Sequence, residues 1–162
     1  MNSPQKDMKT ILEEKFRLLN EAKEIVLSTC SGRTVTSRIV SCACNDDEVL
    51  FLSWKHHTKC KQIQDNHTVA LCYKNLQVEG TAEILGDPHD IKNDVYSQKF
   101  KRKQEDIFEQ FSKLPGMILV KISVQRIKSW NRDNDGYCID HIDLVKNKYE
   151  RTKPEENCPW WK

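Results

Sequence analysis

Apolar residues recur at two different periods along this chain, and the change between them marks out its elements. Met8, Ile11, Leu12, Phe16, Leu19 and Ala22 stand three or four apart, which predicts an amphipathic helix over residues 5–23. From Ile25 the period shortens to two. The runs IVLST, RTVTSRIVSCAC and EVLFLS are β-prone, with Ser31-Gly32 and Asn45-Asp46-Asp47 between them as turns. In TVTSRIVSC the alternation is nearly strict: Thr36, Arg38 and Val40 share one face, and Val35, Ser37 and Ile39 the other. TVALCY and LQVEGTAEIL are further strands. Asp87-Pro88 opens a helical stretch to about Phe111, Leu114-Pro115-Gly116 ends it, and MILVKISVQRIKSW is another long strand. Asn134-Asp135-Gly136 is a hairpin signal that returns the chain as YCIDHIDLV. About six strands, with helices inserted between them, predict a mainly β fold with helices: a six-stranded antiparallel barrel. Residues 1–150 are expected to form a single domain, and 151–162 a C-terminal tail ending in Trp160-Trp161 and a lysine.

The charge balance narrows the function. Lys plus Arg is 26 and Asp plus Glu is 24, a net +2, so no global field draws the chain to nucleic acid or to an anionic membrane. The basic run KFKRK at 99–103 is followed at once by acids, as on a solvated helix face. No apolar run approaches the roughly 18 residues of a membrane span, and MNSPQKDMKT lacks a signal-peptide core, so the expected location is cytoplasmic. The seven cysteines are odd in number, and several sit inside strand-like runs such as VSCAC and VALCY. They read as reduced thiols packed as small hydrophobes rather than as a disulfide framework.

One stretch stands apart. Residues 53–63 read SWKHHTKCKQI, directly after the apolar run Val49-Leu50-Phe51-Leu52. The segment from Thr58 has the length of a short helix, with Thr58 suited to be its N-cap. Lys59 and Lys61 then fall in the first turn, where the macrodipole disfavours cations by a few tenths of a kcal/mol. An anion at the helix start resolves that conflict, taking charge from the lysines and from free backbone N–H groups, and phosphate is the obvious candidate. A metal site would use His56, His57 and Cys60 with Cys42 and Cys44. That set has no C-x-x-C or H-x3-H spacing, and adjacent histidines in an extended segment point opposite ways, so no metal is expected. An ordinary solvated turn is the third reading.

The order of motifs resembles the FMN-binding split barrels of the pyridoxamine 5′-phosphate oxidase-like superfamily, over roughly residues 8–130. The matching pieces are Ser37-Arg38-Ile39-Val40, Leu50-Phe51-Leu52-Ser53, Thr58-Lys59-Cys60-Lys61-Gln62-Ile63, Asn66, and Val78-Glu79-Gly80-Thr81-Ala82. The resemblance implies that Arg38 and Lys59 bind the FMN phosphate, with the hydroxyls of Ser53 and Thr58 assisting. It implies that the backbone at Ile39 and Val40 lies against the flavin ring. Asn75, or Gln77, would reach FMN from a second subunit, and Trp130 falls where many relatives carry a tryptophan near the isoalloxazine. A homodimer with flavin at the interface is the corresponding expectation, acting as an oxidoreductase on a small-molecule substrate.

The departures redirect the substrate. Pyridoxamine 5′-phosphate oxidases proper carry an Arg-Leu-His-Asp-Arg-like segment beyond the tryptophan, where this chain has Asn131-Arg132-Asp133-Asn134-Asp135-Gly136-Tyr137 with a single arginine. The lysine usual after R-x-V is replaced by Ala43. The chain therefore looks closer to the general-stress and nitroreductase-like branches than to enzymes of vitamin B6 oxidation. The alternatives are a non-enzymatic flavin or haem carrier or redox sensor of the same fold, and a Cys/His metal-dependent regulator.

Overall fold

A computed structural model describes residues 7–134 and 136–153. Helix α1 (Met8–Asn20) is capped by Asp7, whose carboxylate accepts from the Thr10 N–H at 2.8 Å. It buries Ile11, Lys15 and Leu19, one residue per turn on a single stripe. Strands β1 (Glu24–Ser31), β2 (Thr34–Asn45) and β3 (Glu48–Trp54) form a meander, and α2 (Thr58–Asp65) follows. Strands β4 (Thr68–Tyr73) and β5 (Leu76–Gly86) are joined by a tight turn in which Lys74 has φ +51°.

Strand β6 (Met117–Asp133) is 17 residues long and has two roles. Its first part, Met117–Ser123, pairs antiparallel with β3, which closes β1–β6 into a six-stranded barrel in the order β3-β2-β1-β4-β5-β6. Its second part, Arg126–Asp133, pairs with β7 (Gly136–Asp143) while Arg126–Ser129 stay paired with β5, and β7 pairs in turn with β8 (Lys148–Thr152). Barrel closure abolishes the free edges that an open sheet would expose. The six predicted barrel strands are thus β1–β6, the predicted return run YCIDHIDLV is β7, and β8 is an addition. Arg151 and Thr152, assigned to the tail on sequence, belong to β8, while 154–162, with Trp160 and Trp161, lie outside the described residues.

The barrel interior is one apolar cluster that includes Leu27, Val40, Phe51, Ile63, Leu71, Val78 and Ile122. A smaller cluster of Ala43, Leu50, Leu119, Phe100 and Phe108 lies between the barrel wall and two helices. The helical stretch expected from Asp87 is a short 3-10 turn at Ile91–Asn93, then α3 (Asp94–Lys103) and α4 (Glu105–Phe111). The break falls at Gln104, whose backbone leaves helical geometry while its amide donates to the Lys23 and Cys42 carbonyls, both at 2.7 Å. A tertiary anchor overrides a residue of good helix propensity. Gly80 answers a close approach within the barrel: a Cβ there would meet Ser123 O at 2.6 Å and Ile122 Cγ2 at 2.8 Å. No helix among the described residues is long and apolar enough to cross a membrane.

A buried ionic cluster ties α1 to the extension. Asp140 on β7 is fully buried and accepts from Arg151 Nε at 2.7 Å, Tyr149 Oη at 2.8 Å and Asn131 Nδ2 at 2.7 Å. Lys15 Nζ lies 3.4 Å from the same carboxylate and donates to Asn131 Oδ1 at 3.0 Å.

Candidate functional site

The alternation of β2 decides which residues enter the barrel. Thr36, Arg38 and Val40 turn inward, while Val35 and Ile39 are 67% and 65% exposed on the outer face. Val40 is buried, so Ile39 and Val40 present opposite sides of one backbone segment. Arg38 is half-buried beside α2, which packs against β1 and β5 and buries Cys60, Gln62 and Ile63.

Two hydroxyls and a backbone carbonyl hold the Arg38 guanidinium in place. Nη1 donates to Thr29 Oγ1 at 2.7 Å and to the Leu27 carbonyl at 3.2 Å, and Nη2 donates to Thr36 Oγ1. Both hydroxyls in turn donate to Gln62 Oε1, and Gln62 Nε2 is fixed on the Thr34 carbonyl at 3.2 Å. Thr29, Thr36 and Gln62 were missed in the sequence, although Thr36 shares the face of Arg38 and Gln62 is a polar residue in the apolar phase of α2.

Helix α2 starts one residue earlier than the sequence predicts. His57 is the N-cap, with extended backbone, and its side chain does not cap; Thr58, assigned that role, is the first helical residue and its side chain is exposed. The cause is the turn before it, where His57 N–H bonds the Trp54 carbonyl at 3.0 Å and commits His57 to the corner. The first turn contains no acidic residue, and no side chain caps its N–H groups. Lys59, half-buried, reaches His57 Nδ1 at 3.2 Å. Ser53 is buried below, donating to the Trp54 carbonyl at 3.3 Å and accepting from the Cys60 thiol at 3.4 Å.

The electrostatics of this corner are one-sided. Burial holds Lys59 below its ordinary pKa, and the Arg38 charge adds to the effect while the Cys60 thiol opposes it. Burial likewise lowers Arg38, against the pull of Cys60. Among the described residues neither cation forms an ion pair with a carboxylate. Two partly desolvated cations at an uncapped helix start cost free energy that a bound anion recovers.

Asn75 and Trp130 are brought to each other elsewhere: the Asn75 amide, in the β4–β5 turn, donates to the Trp130 carbonyl at 2.6 Å. Gln77, exposed on β5, lines a groove of about 490 Å³ on the outer wall, together with Ser28, Cys72, Lys128 and His141. His56 and His57 do not point apart, because they lie in a turn rather than a strand; their rings meet edge-on, 5.6 Å between centroids. No cluster of three or more His, Cys, Asp or Glu suited to a metal ion occurs among the described residues. The described cysteines are free thiols, with Cys42, Cys44, Cys60 and Cys138 buried.

A six-stranded antiparallel barrel closed between β3 and β6, with an inward arginine and a helix-start lysine in one basic corner, defines a split-barrel protein. The sequence profile of the family described as pyridoxamine 5′-phosphate oxidase matches residues 11–131, and the chain belongs to that family. No curated protein matches it in sequence. Among solved structures it resembles a pyridoxamine 5′-phosphate oxidase-related, FMN-binding protein from Nostoc punctiforme: 13% identity, 94% of this chain, 98% of that one, TM-score 0.58. It also resembles General Stress Protein 26 from Bacillus anthracis: 18% identity, 88% of this chain, 98% of that one, TM-score 0.56. The heme storage protein HutZ from Vibrio cholerae shares the fold too: 14% identity, 75% of this chain, 92% of that one, TM-score 0.55. At these identities the likeness is one of fold.

Proposed function

We propose that this protein is an FMN-binding flavoprotein that acts as an oxidoreductase on a small molecule. The observation that carries the reading is the pair Arg38 and Lys59: half-buried, mutually repelling, and without a carboxylate partner among the described residues. That donor set fits a phosphate monoester. Arg38 and Lys59 would hold the phosphate, Thr58 is the exposed hydroxyl beside them, and Ser53 supports the corner from below through Cys60. The Ile39–Val40 backbone would border the ring. FMN, when bound, supplies hydride or electron transfer, and the protein supplies binding, orientation and exclusion of water.

A second copy of the chain fits this reading. Val35 and Ile39 are exposed apolar residues on the strand that carries Arg38, and covering them would bury apolar area. Asn75 and Trp130 would then reach the flavin from the partner. The family's Nostoc relative, FMN-binding by description, supports the cofactor. A carrier role is the second reading, favoured by the fold shared with a heme storage protein. Turnover of bound flavin by reduced nicotinamide separates the two.

The test is an absorption titration with FMN from 300 to 600 nm, on the wild type and on Lys59→Glu. We expect a saturable spectral shift in the wild type. In the folded variant we expect affinity lower by about a hundredfold, two factors of ten at about 1.4 kcal/mol each. A variant that binds FMN like the wild type refutes the assignment.

A further inference from the structure

We infer that His57 is the proton-linked member of this site: an anion entering at Arg38 and Lys59 draws a proton from solvent onto its imidazole. The inference deepens the phosphate reading above and rests on it.

The geometry fixes the starting state. Lys59 Nζ lies 3.2 Å from His57 Nδ1. A lysine ammonium has three donors and no acceptor, so Nδ1 receives this bond and the imidazole is neutral, its proton on Nε2. The turn keeps the ring in position, with the Trp54 ring at 5.5 Å and the His56 ring at 5.6 Å between centroids. One of the three Lys59 donors is thereby spent on a neutral neighbour.

The charged groups that act on the ring from its own turn and from α2 are His56 and Lys59, both basic. Behind them, Arg38 on β2 and the Cys60 thiol act on Lys59. Burial first, then the Lys59 and His56 charges, hold His57 below its ordinary value, so a free site keeps it neutral near pH 7.

An anion reverses each of these effects. It offers Lys59 a stronger, charged acceptor than Nδ1. It places negative charge beside the imidazole, which favours the protonated form. The bound state therefore holds more protons than the free state. By linkage, affinity falls as pH rises through the window between the free value, below about 6.5, and the raised bound value. The limit for one proton is about tenfold in affinity per pH unit.

The experiment is titration calorimetry of FMN binding near pH 6.5, in two buffers of different ionisation enthalpy, on the wild type and His57→Gln. Gln keeps an oxygen acceptor for Lys59 but does not titrate. The FMN phosphate titrates in both proteins and cancels in the difference. We expect the wild type to take up more protons per FMN bound than His57→Gln. Equal uptake with both proteins binding FMN overturns the linkage alone. Folded proteins that give no binding heat, and no spectral shift with FMN, overturn the phosphate reading and this inference with it. A histidine NMR titration of the wild type is independent of the variant: the His57 pKa must rise when FMN is added, and an unchanged value rejects the proposal.

Discussion

Gln62 Oε1 accepts from two hydroxyls at once, Thr29 Oγ1 at 2.6 Å and Thr36 Oγ1 at 2.7 Å. Because both hydroxyl protons are spent on Gln62, both oxygens are left to accept, and the guanidinium of Arg38 takes them. The direction of every bond in this chain is therefore set by one amide.

Two substitutions at Gln62 separate fold from site. Gln62→Leu leaves one buried and one half-buried hydroxyl without their acceptor and is expected to cost about 1–3 kcal/mol in urea unfolding. Gln62→Glu keeps an acceptor for both hydroxyls, gives up the Nε2 bond to the Thr34 carbonyl and brings a negative charge toward Arg38. It is expected to hold most of the stability while weakening FMN binding by about tenfold or more. Wild-type FMN affinity in folded Gln62→Glu would place Arg38 outside the anion site.

The cluster around Asp140 is a stability determinant with a defined pH dependence. Asp140→Ala takes the buried carboxylate away from Lys15 and Arg151, leaving Lys15 its other pair with Glu14 at 3.2 Å, and is expected to cost about 3–5 kcal/mol. Burial raises the Asp140 pKa, but hydrogen bonds from Arg151 and Tyr149 and the charges of Arg151 and Lys15 outweigh it, leaving the carboxyl below its ordinary value. A depressed folded value gives stability that is fully present above the unfolded value, about 3.9, and is lost as pH falls through the folded one. Urea midpoints measured from pH 7 down to pH 3 are therefore expected to drop more steeply at the acid end in the wild type than in Asp140→Asn.

Gly80 is a packing requirement. In Gly80→Ala the new methyl would sit against the Ser123 carbonyl, which is backbone and cannot rotate away. The expected loss is about 1–3 kcal/mol, read as a lower melting temperature. An unchanged melting temperature would mean that β5 and β6 separate locally without cost.

The sequence made the barrel legible because its strands keep a strict period of two with apolar residues in phase. β8 carried no such signal: KYERT pairs on one edge only and leaves most of its side chains to solvent, so nothing selects an apolar alternation. Lys59 drew attention because a cation in a first helical turn violates a local rule, whereas Arg38 was singled out only by the resemblance of Ser37-Arg38-Ile39-Val40 to the family's motif. The same kind of violation marks residues that were passed over. Lys15 stands between Ile11 and Leu19 on the buried stripe of α1, Asp140 between Cys138 and Ile142 on the inward face of β7, and Gln62 beside Ile63 in α2. Each is a polar side chain in an apolar phase, satisfied by partners far away in sequence. The partners, and hence the roles, appear only when the chain is folded. The exact start of α2 was not legible either, because the turn bond from His57 to Trp54, not the propensity of Thr58, decides it.

Strand β6 also sets an order of events during synthesis. β3, at residues 48–54, is made early, but its second neighbour is residues 117–123. Between them the ribosome must deliver α2, two further strands and the whole α3–α4 excursion. Throughout that interval β3 offers an open row of backbone donors and acceptors to any other nascent chain. β6 meets this edge with its N-terminal half, and its C-terminal half, made later, carries β7, β8 and the partners of Lys15. Closure of the barrel and attachment of the extension therefore depend on one continuous strand, so a break within β6 would cost both.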